Sequence, residues 1–237
     1  MPKVLAVLGV GPGLGLSIAR RFGREGFTTA LVSRTDARHA TYRASLAGIT
    51  APTYTADVTD EAQLKEVLAR ITADVGEIDT VYFGPADAGA GPDLTPLPEA
   101  GADAVRRPFE SLVLPAVRLV EAVLPGMRAR GSGALFFAGG LSGKYPMPML
   151  GSLAPASAAL RMYVLTLNAA LRDTGVYAGA LTIGGLIERG DIHRMFTEQD
   201  FGITAGTLDP DAIAERAWSM YVERGEAEAE FTAMTAV

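Results

Sequence analysis

Val4-Leu5-Ala6-Val7-Leu8-Gly9-Val10-Gly11-Pro12-Gly13-Leu14-Gly15-Leu16-Ser17-Ile18-Ala19 decides how the rest of the chain is read. The apolar run over 4–8 predicts a buried strand, and the glycines at 9, 11, 13 and 15 predict a tight turn. An amphipathic helix follows: Ala19, Phe22 and Gly26 continue its apolar face, and Arg20, Arg21, Arg24 and Glu25 its polar one. A strand, a glycine turn and a helix in immediate succession open a dinucleotide-binding unit. Gly9 turns the chain sharply, Gly13 admits a pyrophosphate to the backbone, and Gly15 lets helix and strand pack closely. With Gly11 and Leu14 they frame a helix N-terminus, whose unpaired N–H groups and positive dipole end attract phosphate.

Composition narrows the alternatives. The 237 residues are 49% hydrophobic and 20% charged, enough apolar material for a sizeable core. A formal net charge of −6 argues against a nucleic-acid partner. There is no cysteine, hence no disulfide or thiolate chemistry, and the two histidines, His39 and His193, stand far apart, so no metal site is expected. No apolar run reaches the roughly 18–20 residues that span a bilayer. Met1-Pro2-Lys3 runs straight into the first strand, so no signal peptide and a cytoplasmic location are expected.

The second strand, over 28–32, closes on Ser33-Arg34-Thr35. Units that bind a free ribose 2′-hydroxyl carry a carboxylate about 20 residues after the glycine turn. Here Ser33 stands at that distance from Gly13, followed by Arg34. A hydroxyl beside a guanidinium suits a 2′-phosphate, so Ser33, Arg34 and Thr35 point to NADP(H).

Further along, a helix over 36–46 leads to a strand over 51–56 that ends at Asp57-Val58, where Asp57 is placed to meet an adenine amino group. Thr59-Asp60-Glu61 caps a helix with Leu64, Val67, Leu68 and Ile71 on one face. A strand over 80–83 ends in Gly84-Pro85, before a Gly- and Pro-rich loop over 86–101. Helices over 109–130 and 153–172 alternate with strands over 134–138 and 176–183, the latter reaching Ile183-Gly184. A helical patch over 191–196, a helix from Asp209 to Glu223 and a strand over 229–233 complete the chain. Alternation without linker or repeat predicts one α/β domain, a doubly wound parallel sheet with helices on both faces.

Several of these segments together resemble the short-chain dehydrogenase/reductase family over essentially the whole chain. They are Gly9-x-x-x-Gly13-x-Gly15, Asp57-Val58-Thr59-Asp60, Leu124-Pro125-Gly126-Met127, Gly133 before the fifth strand, and Ala156-Ser157-Ala158-Ala159-Leu160. The resemblance implies a Rossmann-type sheet of about seven strands and nicotinamide-linked carbonyl or alcohol chemistry. It also implies an Asn-Ser-Tyr-Lys catalytic tetrad, and this chain departs from it. Anchored on Ala158-Ala159-Leu160, the tyrosine and lysine positions hold Leu153 and Ser157; the serine position falls on Gly140 and the asparagine position on Leu112. Phe83-Gly84-Pro85-Ala86 replaces the family's Asn-Asn-Ala-Gly, and Ile183-Gly184 its Pro-Gly. Ser157 can still hydrogen-bond a cofactor ribose.

Two candidates for a displaced donor follow the fifth strand, Ser142 and Tyr145, the latter beside Lys144. Asp87, Glu188 and His193, in flanking loops, are weaker ones. Pro115 removes the N–H that would bond the Ser111 carbonyl; the resemblance implies a helix distortion beside Leu112, which this proline would keep, while a simple kink or a helix starting only near Pro115 also fits. Phe83, Leu141, Met147, Met149, Leu150 and Leu153 suggest an apolar lining and a hydrophobic small-molecule substrate. Three functions fit: an NADPH-dependent reductase of a carbonyl, imine or conjugated alkene; a redox-neutral isomerase, cyclase or dehydratase; and a non-catalytic NADP(H)-binding sensor. The helices over 109–130 and 153–172 are apolar on more than one face, and the family pairs them across subunits, which implies a homodimer or homotetramer.

Overall fold

The computed structural model describes residues 2–85, 94–199 and 205–233. In chain order its elements are β1 (Val4–Leu8), α1 (Leu14–Arg24), β2 (Thr28–Ser33), α2 (His39–Ser45), β3 (Thr53–Thr55), α3 (Glu61–Val75) and β4 (Ile78–Phe83). Then come α4 (Ala102–Pro108), α5 (Leu114–Arg130), β5 (Gly133–Gly140), α6 (Leu153–Ala170) and β6 (Val176–Gly184). The last are β7 (Leu186–Ile187), α7 (Asp191–Glu198), β8 (Thr207–Leu208), α8 (Pro210–Glu223) and β9 (Glu228–Thr232). Seven strands form one sheet in the order β3-β2-β1-β4-β5-β6-β9, while β7 pairs with β8 apart from it. Every neighbouring pair in the sheet is parallel.

All of β1 is buried, as befits a central strand covered on both faces, and its side chains alternate between two cores. Val4, Ala6 and Leu8 join Leu64 and Ile71 of α3, Leu119 of α5 and Val164 of α6. Leu5 and Val7 join Ile18 and Phe22 of α1, Tyr42 of α2 and Ile213 and Ala217 of α8. The chain steps outward from β1 to β3 and then crosses back to β4, so the sheet order reverses between β1 and β4. At such a switch point a crevice opens beyond the carboxyl ends of the strands.

Several boundaries differ from the sequence expectation. β3 is three residues long rather than six: the carbonyls of Thr50 and Pro52 still accept from Thr29 and Leu31 of β2, but Pro52 has no N–H to return. The path expected to start at 109 is helical from Ala102, as α4. Between α4 and α5 a single π turn spans Phe109–Val113, with the Leu114 N–H donating to the Phe109 carbonyl. Pro115 follows at once; lacking an N–H, it leaves the preceding turn free to slip by one residue, as expected beside Leu112.

Candidate functional site

The carboxyl ends of β1, β2 and β4 are stitched together. The Gly9 and Val10 N–H groups both donate to the Val32 carbonyl, and the Gly84 N–H to that of Leu8. Gly9 sits at φ +86°, and a Cβ there would stand 2.6 Å from the Pro85 Cα, so conformation and space both demand glycine. A Cβ on Gly15 would lie 3.0 Å from the Val10 Cα, the close helix–strand contact expected of it. The space beside Gly11 is open. Gly13 caps α1, and its nearest neighbours are Ile187 and Gly190, each 3.1 Å from a Cβ built there. The segment after β6 therefore comes down onto the phosphate turn.

Ion pairs flank that turn on both sides. Arg38 Nη1 lies 2.6 Å from Asp191 at the start of α7, and Arg189 Nη2 lies 2.8 Å from Asp211 at the start of α8. Arg189, itself in the left-handed region at φ +65°, also reaches Ser17 Oγ on α1 at 3.4 Å. The Asp191 carboxylate raises the Arg38 guanidinium above its ordinary range.

At the end of β2 the Ser33 hydroxyl lies 2.9 Å from the Thr35 carbonyl and 2.8 Å from Nε2 of His39, which burial holds below the usual histidine range. Beyond β3, Asp57 Oδ1 accepts from both the N–H and the hydroxyl of Thr59, and Val58 is buried in the core. One Asp57 oxygen thus turns the chain toward α3, where Asp60 accepts the Gln63 N–H as N-cap.

The positions matching the family's catalytic groups converge at the end of β5. A Cβ on Gly140 would stand 3.3 Å from Ser142 Oγ and 3.4 Å from Ser157 Oγ. The two hydroxyls therefore gather about one point. Both serines are buried, and among the described residues the Ser142 hydroxyl has no hydrogen-bond partner. Gly143 explains the approach: its Cα lies so close to the Ser157 backbone that a Cβ would stand 2.6 Å from the Ser157 carbonyl. Leu153 and Leu112 are partly buried, and neither offers a proton. Gly184 makes room for Leu141, whose side chain a Cβ at that position would strike.

Tyr145 lies apart from the two serines, 47% exposed. Lys144 Nζ sits 5.4 Å above its ring and 2.6 Å from Glu230 of β9, whose carboxylate raises the lysine. Next to this pair Arg161 of α6 grips Glu228 of β9 through two 2.7 Å bonds, and Thr182 of β6 donates to the same carboxylate at 2.6 Å. Of the expected lining, Phe83 is fully buried against Phe137 and Leu141 is nearly so, which makes them support rather than surface. Met147, Leu150 and Leu153 are half-buried and Met149 is exposed. Glu188 accepts the Thr207 hydroxyl and ties β7 to β8; His193 lies within α7; Asp87 lies outside the described residues.

Sequence reading passed over Arg38, Arg189 and Asp191, whose partners are remote in the chain, and took His39 only as an isolated histidine. The spacing Ser33–His39 across a helix start was the available signal for the last.

Comparison with known proteins bears on the family and the fold. The family model described as short chain dehydrogenase matches residues 3–190. A short chain dehydrogenase of Pseudocercospora fijiensis is 27% identical over 186 residues, covering 78% of this chain, which spans 60% of that relative's length. The NADP-dependent 3-hydroxy acid dehydrogenase YdfG of Salmonella typhi is 26% identical over 220 residues, 91% of this chain and 87% of that one. Among solved structures, a single-substitution variant of actinorhodin polyketide ketoreductase with NADPH superposes with a TM-score of 0.81 at 20% identity, covering 98% of this chain and 96% of that one.

Proposed function

Because the chain belongs to the short-chain dehydrogenase family, we propose that it is an NADP(H)-dependent oxidoreductase that reduces a carbonyl, imine or conjugated alkene of a hydrophobic small molecule. The observation that carries the reading is the end of β5, where Ser142 presents a buried, unpartnered hydroxyl beside Ser157. That point lies at the strand-end edge on which the phosphate turn also opens.

The residues present fit the cofactor. Gly9 packs against Pro85 so tightly that no side chain fits, and the open space at Gly11 lies before the amides that begin α1. Ser33, Arg34 and Thr35 would receive a 2′-phosphate, Asp57 and Val58 would flank the adenine, and Ser157 would hold a ribose hydroxyl. Gly84, Pro85, Ile183 and Gly184 would border the nicotinamide. When bound, reduced nicotinamide supplies a hydride; the chain must place the substrate and see one proton delivered.

Ser142 does the placing. A serine hydroxyl is too weak an acid to give up its proton outright, but it can donate a hydrogen bond to an oxygen as negative charge develops there. The proton then comes from water, or is not needed where an iminium substrate already carries charge. Met147, Met149, Leu150 and Leu153 form an apolar approach. The backbone closes it on one side: the Ser152 N–H donates to the Thr95 carbonyl, drawing the chain after β4 against the start of α6. Assembly through α5 and α6 belongs to the same proposal, since Leu114 and Met162 stand exposed on them, the latter by 57%.

The test is titration with NADPH and NADH, followed by NADPH oxidation across a panel of carbonyls, imines and enones. NADPH is expected to bind more tightly by about 1–3 kcal/mol, and Arg34→Ala to erase most of the difference. Equal affinities in the unaltered protein would overturn the cofactor assignment. Tight NADPH binding with no turnover on any member would overturn the reductase reading in favour of a redox-neutral enzyme or a sensor.

A further inference from the structure

We propose that His39 is the positioning residue for the cofactor's 2′-phosphate, holding the Ser33 hydroxyl in place and taking up a proton when the phosphorylated dinucleotide binds. The inference rests on the NADP(H) reading above.

The Ser33 hydroxyl has one proton to give, and the Thr35 carbonyl, 2.9 Å away, can only accept it. With the proton so placed, the 2.8 Å contact with His39 belongs to the tautomer that carries hydrogen on Nε2 and donates to Ser33 Oγ, and the proposal takes this arrangement. His39 is 6% exposed at the first position of α2, a costly place for an imidazole unless its N–H is used. It spends that N–H on the side chain that stands where the sequence places recognition of the ribose.

The groups facing the imidazole decide how it responds to a new charge. Asp36 and Arg43 come from its own segment, Tyr54 from β3 and Arg70 from α3, and all four line one polar cavity with His39. Arg43 donates to Thr53 Oγ1 at 2.8 Å, and Arg70 lies over the Tyr54 ring at 5.6 Å. Burial pushes the Tyr54 phenol up to about 12, so it stays neutral. Burial also disfavours the charged imidazole, Asp36 favours it, and Arg43 opposes it. In the free protein the balance lies against the charged imidazole.

A phosphate oxygen arriving at Ser33 turns the hydroxyl proton from the Thr35 carbonyl toward itself. The Nε2–H···Oγ–H···O–P chain then polarises along its length, with His39 keeping the oxygen aimed. The phosphate charge lies one hydroxyl away from the imidazole and raises its proton affinity. A dinucleotide without the phosphate does neither. The contribution of His39 to the preference for the phosphorylated cofactor therefore grows as the pH falls through the histidine range.

Calorimetric titration with NADP⁺ and NAD⁺ at pH 6 and pH 8 tests this on the unaltered protein, His39→Leu and His39→Gln. The glutamine amide nitrogen can replace Nε2–H as a donor, but it does not titrate. His39→Leu is expected to lose roughly three- to tenfold of the NADP⁺ preference, the worth of one neutral hydrogen bond. His39→Gln should keep the preference at pH 8 but gain less of it than the unaltered protein on going to pH 6; the phosphate's own ionisation is common to all three proteins and cancels in that comparison. In the unaltered protein, NADP⁺ but not NAD⁺ should raise the midpoint of one histidine ring-proton signal that is missing from His39→Gln. Equal NADP⁺ and NAD⁺ affinities in the unaltered protein would overturn the cofactor reading itself. A preference for NADP⁺ that survives intact in His39→Leu, or a His39 midpoint that NADP⁺ leaves unmoved, would overturn the role of His39 alone. The ring-proton measurement decides the matter should His39→Leu not fold.

Discussion

Replacing Glu228 by glutamine tests whether the β9 edge holds the candidate site in register. The carboxylate receives Arg161 Nε and Nη2, each at 2.7 Å, in a two-pronged pair, and the Thr182 hydroxyl at 2.6 Å. The side chains of Arg161 and Glu228 are only 20% and 16% exposed, so water replaces little of what is lost. Hydrogen bonds to charged groups contribute about 1.5–3 kcal/mol each, and breaking a buried pair costs about 3–5 kcal/mol. Glutamine keeps one carbonyl oxygen for Arg161 or Thr182, which sets the expected loss near 2–3 kcal/mol. At about 2–4 °C per kcal/mol for a chain of this size, Tm should fall by roughly 4–12 °C. The Arg161 guanidinium holds the Glu228 carboxyl below its ordinary range, with the Thr182 hydroxyl helping and burial opposing. A carboxyl lowered in the folded state stabilises fully above its unfolded value, about 4.3, and loses that contribution as the pH falls through the folded value. Thermal melts of the two proteins should therefore differ most near pH 7 and converge below about pH 4. A gap that persists undiminished at pH 3, or one under about 1 °C at pH 7, would refute the assignment.

The remaining expectations concern the site and the assembly. Gly9→Ala should destabilise the fold by more than about 2 kcal/mol and abolish binding of both dinucleotides, because φ +86° and the Pro85 contact at 2.6 Å oppose it together; wild-type melting and titration curves would contradict this. Ser142→Ala should slow single-turnover hydride transfer roughly 10–100-fold and Tyr145→Phe by less than about threefold. The reverse order would overturn the placing role of Ser142 and make Tyr145 the proton donor. Met162→Glu should convert the oligomer to monomer in light scattering, and a monomeric unaltered protein at micromolar concentration would dispose of the α5–α6 interface.

Legibility followed the range of the interaction. The phosphate turn could be read because the positive φ of Gly9 and the approach of Gly15 to Val10 belong to one strand–turn–helix segment, whereas the contact of Gly9 with Pro85 could not. The distortion beside Leu112 could be read because a missing N–H at Pro115 acts one turn back along the same helix. β7 and β8, two residues each, are too short to show any periodicity, and the shortening of β3 depended on which carbonyls β2 would engage. The pairs Arg38–Asp191 and Arg189–Asp211 join residues that only the fold brings together. His39 falls between these cases. Its partner is six residues away, but a bond between them depends on α2 starting at residue 39 rather than at 36, where the apolar pattern had placed it.

The same reasoning explains why the end of β5 was half legible. Counting from fixed anchors assigned Gly140, Leu153 and Ser157 to their places, and those counts need only the regular rise of strand and helix. What counting could not supply is the direction of the intervening turn. Gly143 lets that turn press onto α6, and this inward packing carries Ser142 to the Gly140 point. One residue beyond, Lys144 is drawn off to Glu230, and Tyr145 goes with it to the β9 side. Ser142 and Tyr145, equal candidates as letters three positions apart, are thus separated by a single backbone contact. A side chain at residue 143 would meet the Ser157 carbonyl at 2.6 Å and force the turn away from α6. The chemistry proposed for Ser142 consequently depends as much on that glycine as on the hydroxyl itself.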